Sequence, residues 1–361
     1  MSHDAGLYHI DAVELKTFAA AAAARAGIPE TEATILADTL VEADLRGVDS
    51  HGIQLLAPII RMIGEGNMNP RPSFTTVKET PLTAVLDGDN GIGNLVCAKA
   101  AALAIGKASC AGVGIVTARK STHCGALAYY PMMALQHDMI GFMTVNGPPL
   151  IPPYGGITRL LSTNPYAAAI PAGTELPVVV DMAVTVAART KIRLKAKLGE
   201  KIPLGWALDR YSQPTEDATE ALHHGFLNWM GGAKGYSMAV LANILSGVLS
   251  GCTFGPQNYP PYDITADYGS QLVRQSQFIM VLNISYFIPL DEFKSRMDAM
   301  IQETRTSQPA KGFDRVYLPG EPEFERKAQR LKTGIPVSHP VWQDLQRLRQ
   351  NLGISTSLTS R

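Results

Sequence analysis

TAVLDGDNGIGNLV, residues 83–96, is the passage on which the choice of fold turns. Its first half is apolar and ends in Asp and Gly, the pattern of a strand running into a turn. A helical stretch, 96–109, comes next. Strand, Gly91-Ile92-Gly93 and helix look like the opening of a dinucleotide fingerprint, whose bare glycines let a pyrophosphate meet the helix N-terminus. The likeness breaks at the third glycine, where Val96 stands. No strand–helix–strand unit with a properly placed acidic residue is expected after it. The passage is therefore not read as a Rossmann fold.

Further short β-type segments follow: GVGIVTARK (112–120), MIGFMTVN (139–146), YAAAIPA (166–172), LPVVVDMA (176–183) and QFIMVLNI (277–284). Helices are expected before and after them. Asp11 is a good N-cap with Glu14 at the capping-box position, and the Ala-rich run it opens stops at Gly27. A second helix spans 29–45. A third spans 52–65, with Leu55, Leu56, Ile59 and Ile63 as its apolar stripe. Residues 185–201 read as a basic helix. The helix after Gly235, YSMAVLANILSGVLSG, is apolar on nearly every face and so is expected to be deeply buried. The tail from Leu290 reads as amphipathic helix broken by VYLPGEPEF (316–324). This predicts an α/β chain of the α+β type. Helical regions 1–72 and 285–361 join and frame a strand-rich domain at 73–284.

Composition narrows the function. At 361 residues and 46% hydrophobic, the chain can bury a sizeable core. Lys+Arg 32 balances Asp+Glu 32, so no electrostatic footprint for nucleic acid or anionic membrane exists and a small-molecule substrate is favoured. Cys97, Cys110, Cys124 and Cys252 form no C-x-x-C pair and show no zinc spacing, which predicts free thiols in a reducing compartment and no metal. The start, MSHDAGLYHIDAVELK, has no apolar signal region, and no apolar run approaches the roughly 18 residues of a membrane span. A cytoplasmic protein is expected.

Four clusters could carry chemistry. In RGVDSHG (46–52), Ser50 can cap the third helix and place His51 in its first turn, where partial positive charge favours the neutral ring. A neutral imidazole suits proton exchange with a carbonyl oxygen; a plain cap beside a surface histidine explains the same residues without chemistry. In STHCG (121–125), His123 sits where ligands meet the ends of strands, or is a loop histidine satisfied by backbone. A metal site on His123 and Cys124 lacks further ligands. In GGAKGY (231–236), glycines, a helix start and Lys234 suit a diphosphate or carboxylate; a flexible turn with a solvated lysine is the alternative. In STNP (162–165) and VDMA (180–183), Asp181 ends an apolar strand and needs a partner, either a ribose hydroxyl, a histidine or the next helix.

Taken in order, RGVDSHG, the His-Gly turn, STNP, DMA, GGAKGY with LSGVL, and VYLPGE resemble the type-2 malate/L-lactate dehydrogenase family. That family includes ureidoglycolate dehydrogenase, diketogulonate reductase, sulfolactate dehydrogenase and the piperideine- and pyrroline-carboxylate reductases. The resemblance runs from about residue 10 to GIP near 335. It implies a non-Rossmann fold with a largely antiparallel sheet holding NAD or NADP, and a homodimer whose active site both subunits complete. It also implies catalytic roles for Ser50, His51 and His123. Asn146 in VNGPP, Asp181, Met182, Ala183, Lys234, Gly235, Pro319 and Gly320 become cofactor contacts, and Thr163 a substrate contact.

Two departures stand out. Many members carry an arginine four residues after the SHG histidine to hold the substrate carboxylate; here that residue is Leu55. Leucine cannot replace a bidentate arginine, so the substrate lacks the usual 2-oxo-carboxylate or anchors it elsewhere, with Arg46 and Arg61 as candidates. Gly147 stands where the family usually has serine. The leading expectation is hydride transfer between nicotinamide and a small carbonyl or hydroxyl compound. Cyclic-imine reduction is the alternative within enzymes. A nicotinamide-binding protein that has lost catalysis is the alternative of another class.

Overall fold

The computed structural model describes residues 6–255 and 274–360. The first five residues of the segment read above as lacking a signal, and 18 residues of the expected strand-rich domain (256–273), lie outside that set. In chain order the first elements are β1 (Leu7–Ile10), α1 (Ala12–Arg25), α2 (Glu30–Leu45), α3 (Leu56–Gly64), β2 (Thr75–Glu79), β3 (Thr83–Gly91) and α4 (Gly93–Ala111). Next come β4 (Val113–Ser121), α5 (Tyr129–Met132), β5 (Met139–Val145), β6 (Tyr166–Ile170), β7 (Val178–Met182) and α6 (Arg189–Leu198). Then follow β8 (Ala207–Leu208), β9 (Pro214–Thr215), α7 (Ala218–His223), β10 (Phe226–Leu227) and α8 (Ala233–Asn243). The chain closes with β11 (Gln275–Asn283), α9 (Leu290–Thr306), α10 (Glu321–Thr333), β12 (Ile335–Ser338) and α11 (His339–Asn351).

A seven-stranded sheet in the order β2-β3-β4-β11-β5-β6-β7 forms the centre, and helices flank it. β3 and β4 run parallel; every other neighbouring pair is antiparallel. The fold class is therefore the mixed one expected, without a complete dinucleotide fingerprint. β3, α4 and β4 do make a strand–helix–strand unit. What is missing is the acidic residue: β4 reads VGIVTARKS, with no carboxylate to meet a ribose. The unit carries His123 instead, in the turn just after β4.

The two ends of the chain meet. Asp11 starts α1 by accepting the Val13 N–H at 2.8 Å, and Glu14 takes the Thr359 N–H from the far terminus. β1 pairs with β12, and one apolar cluster gathers Ile10, Phe18, Leu36, Leu40 and Leu56 with Ile335, Val337, Leu345 and Leu358. A second cluster lies between α4 and the sheet, and a third joins Ile151, Val184, Ile192 and Trp229.

The helix after Gly235 overturns its expectation. α8 and the π-helical turn after it leave Leu241 50%, Ile244 47%, Val248 50% and Leu249 56% exposed. Only Gly235, Ala239 and Ala242 of α8 are buried, a single narrow stripe. The helix is apolar all round, yet this chain covers only that stripe of it.

Candidate active site

A cleft of about 720 Å³ separates the loop after α2 from the edge of the sheet. The loop's shape comes from Asp44, which is 4% exposed near the end of α2. Its carboxyl accepts the Ile53 N–H at 2.7 Å and lies flat against Gly52, where any Cβ would come within 1.8 Å of Oδ1. Burial pushes this carboxyl up to about 8, so the neutral acid prevails at neutral pH. Arg330 of α10 donates to the Asp44 carbonyl and pairs with Asp49. So clamped, the chain makes two 3-10 turns, Asp49–His51 and Ile53–Leu55, and α3 begins only at Leu56.

This corrects the reading of Ser50 and His51. Ser50 caps no helix; its hydroxyl lies 2.8 Å from His51 Nδ1. The pKa of His51 is indeed lowered, but the cause is burial, not a helix terminus. With Nδ1 engaged, Nε2 is the nitrogen through which the ring can exchange a proton with a ligand.

His123 reaches the same place from the sheet. Gly93 opens α4 pressed against its turn: a Cβ there would stand 2.3 Å from the Thr122 oxygen and 2.4 Å from that of His123. The Gly125 N–H donates to His123 Nδ1 at 3.3 Å, which puts the proton of the neutral ring on Nε2. The two imidazoles stack with centroids 5.4 Å apart and planes at 21°. Burial, and then the neighbouring His51, hold His123 down to about 3. Two rings this close cannot both ionise, so the pair carries at most one charge.

The opposite wall is the sheet edge. Asn146 Oδ1 accepts from the Ser276 N–H (2.8 Å) and hydroxyl (3.0 Å), and its amide donates to the Thr253 carbonyl at 3.0 Å. Asn146 thus holds the wall together. Asp181, on β7, accepts the Ala128 N–H at 2.9 Å. Burial by the surrounding protein raises its carboxyl to about 6, against the pull of that hydrogen bond and of Arg46. The 318–320 loop docks onto β7: Val179 N–H donates to the Pro319 carbonyl at 3.0 Å, and Gly320, at φ +96°, leaves only 2.9 Å between a notional Cβ and Val179.

Ser50, His51, Leu55, His123, Arg46, Asn146, Thr163, Asp181, Met182, Ala183, Pro319 and Gly320 all line the cleft. Three sequence candidates do not. Lys234 is exposed and off the wall, and Gly235 is packed behind it against the Val184 carbonyl. Arg61 points away and pairs with Glu65 at 3.8 Å. Arg46 is 4% exposed, lies over the Phe324 ring at 4.8 Å, and leaves Nη1 without a partner among the described residues. The structure adds Glu42, Arg193, Gln275 and Glu323, which nothing in their sequence spacing marks, and brings Ser162 of the STNP cluster to the same lining. Asp44 carried no distinguishing signal either, since the same helix also holds Glu30, Glu32, Asp38 and Glu42. Among the described residues no cluster of His, Cys, Asp and Glu could hold a metal, and no helix is long and apolar enough to cross a membrane.

The malate/L-lactate dehydrogenase family profile matches residues 10–346. Malate dehydrogenase of Pyrococcus horikoshii is 39% identical, with 91% of each chain aligned. L-sulfolactate dehydrogenase of Methanocaldococcus jannaschii is 38% identical over 91% of this chain and 93% of its own. NAD(+)-dependent ureidoglycolate dehydrogenase of Escherichia coli K12 is 31% identical over 89% and 90%. The solved structure of the P. horikoshii enzyme superposes with a TM-score of 0.88 over 98% of both chains. A cleft with two neutral histidines on this non-Rossmann sheet, and near full-length similarity to these enzymes, place the chain in the malate/L-lactate dehydrogenase family of oxidoreductases.

Proposed function

We propose that the cleft binds a nicotinamide dinucleotide and that the chain transfers a hydride between it and a small carbonyl or hydroxyl compound. The observation that carries this is the stacked pair His51 and His123, both held neutral within one cleft. The residues suit the cofactor. Arg189 and Arg193 line one end beside the start of α6 and match phosphates; Asp181 matches ribose hydroxyls; Arg46 has a buried donor to spare. The nicotinamide supplies or takes the hydride when bound.

The protein's part is to position the substrate and handle the proton. His51, steadied at Nδ1 by Ser50, takes the hydroxyl proton of the substrate at Nε2 as a neutral base in oxidation; in reduction it first takes a proton from solvent and gives it to the substrate oxygen as the imidazolium, the single charge the pair can carry. His123, too acidic to carry a charge at neutral pH, donates a hydrogen bond from Nε2 to the same oxygen without ionising. Leu55 lines the cleft at the sequence position where many members of the family carry a carboxylate-binding arginine. The preferred substrate accordingly presents an apolar group there, and Arg46 is the residue left to anchor an anion.

Homodimerisation is part of the same reading. The bare apolar face of α8 and its π turn is what a second copy would cover, and α8 follows the Gly231–Gly232 turn beside Val184, next to the cleft. The helical regions of 1–72 and 285–361 then form one body around a cofactor-binding 73–284. The free cysteines suit a cytoplasmic setting. The test is NADH and NADPH consumption against a panel of carbonyl compounds, with and without added amine. Turnover of pyruvate, oxaloacetate or a cyclic imino acid at ordinary efficiency sinks the Leu55 reading. Turnover only with amine assigns imine reduction, and none at all leaves an idle binding protein.

A further inference from the structure

Gly147 has no side chain in the sheet wall, and two polar side chains crowd the place its Cβ would take. A Cβ on Gly147 would stand 2.6 Å from Ser162 Oγ and 3.6 Å from Gln275 Nε2. Ser162 is 7% exposed and Gln275 6%, and both line the cleft. Neither the Ser162 hydroxyl nor the Gln275 side-chain amide makes a hydrogen bond within the described chain; Ser162 is held through its backbone N–H alone, by Asn164 Oδ1 at 3.0 Å. Both side chains line the cleft with hydrogen-bonding capacity that no described residue takes up, so it is open to a ligand. The wall around them is stiff. Asn164 is fully buried at φ +35°, a conformation non-glycine residues rarely adopt, and Asn146 is tied to Ser276 and Thr253.

We infer that Ser162 and Gln275 form a neutral hydrogen-bonding subsite for the carboxamide of the nicotinamide ring. This rests on the cofactor reading above. Three observations favour a carboxamide. Neither side chain is charged, so the couple suits a neutral group better than a phosphate or carboxylate. A glutamine amide beside a hydroxyl offers both donors and acceptors, as a primary amide requires. Gln275 lies opposite Ser121 in the β11–β4 register, two residues before His123, so the couple borders the turn where the reacting ring must sit. The serine usual in the family at position 147 is thus replaced by a hydroxyl delivered from position 162 into the space the glycine vacates.

Fluorescence titration with NADH or NADPH tests this on the intact protein, with acetylpyridine adenine dinucleotide, which lacks the amide N–H, as a competing ligand. Ser162→Ala and Gln275→Leu should each weaken nicotinamide-cofactor binding by about tenfold, as expected for one lost hydrogen bond. Both should also erase most of the wild type's preference for the amide over the acetyl compound. Gly147→Ser alone should weaken binding through the clash with Ser162, and Gly147→Ser with Ser162→Gly should restore it to within about threefold. Wild-type affinity and preference in both single variants overturn the subsite, as does a change confined to substrate KM. Failure of the wild type to bind either dinucleotide overturns the cofactor reading itself and the subsite with it.

Discussion

The two walls of the cleft are built in opposite ways. The helical wall, residues 46–55, presents side chains that can do chemistry, held by a buried acid and by α10. The sheet wall, from Asn146, Thr163, Asp181 and Gly320, is mostly backbone, small residues and the tethered amide of Asn146. On the function proposed above, the first wall moves a proton and the second fits a shape. Substitutions on the two should therefore separate turnover from binding.

The sharpest break is expected at His51. His51→Gln should lower kcat by about 10²–10⁴ while the affinity for NADH, read by fluorescence, stays within about twofold. A glutamine with normal turnover would remove His51 from proton transfer. Next are the two glycines. Gly52→Ala drives a methyl into Asp44 and Gly320→Ala drives one into Val179, so each should cost roughly 1–3 kcal/mol in urea unfolding. Gly52→Ala should fall mainly in kcat and Gly320→Ala mainly in cofactor Kd. Equal effects on both parameters would erase the distinction between the walls.

Leu55→Arg should raise kcat/KM for 2-oxo acids by about 10–100-fold, the worth of a charge-assisted contact, and lower it for apolar substrates. A flat substrate profile would mean residue 55 does not face the substrate. The pH profile sharpens the case for His51. Because burial lowers its pKa, the neutral base needed for alcohol oxidation persists below pH 6.5, and the acid limb of oxidation kcat should lie under that value. The smallest effect concerns Asp44. Its carboxyl titrates near 8 when folded but near 3.8 when free, so the folded state holds the proton more tightly. That contribution is present below pH 3.8 and is lost as pH rises to about 8. The melting temperature of Asp44→Asn relative to wild type should therefore climb by roughly a few degrees between pH 4 and 8 and then level off. A constant difference across that range would show that Asp44 is ionised in the fold.

Much of the helix and strand pattern was legible because it is local. Asp11 caps α1 through its own neighbours, and the apolar runs at 139–146, 166–172 and 176–183 became β5, β6 and β7. The candidate histidines were legible as polar residues in turns. Their environment was not: the helix dipole invoked for His51 is replaced by burial that only packing creates. Likewise the parallel β3–β4 pair and the exposure of α8 depend on what distant segments cover.

Periodicity, turn residues and charge balance alone determined the alternation of elements, the absence of a third fingerprint glycine, and the set of loops able to carry chemistry, since each depends on residues within a few positions of one another. Tertiary structure decided the rest. It brought His51 to His123 across 72 positions, tied Asp44 to Gly52, and turned Ser162 toward Gly147. Those pairings depend on which surfaces exclude water together, and no stretch of chain records that by itself.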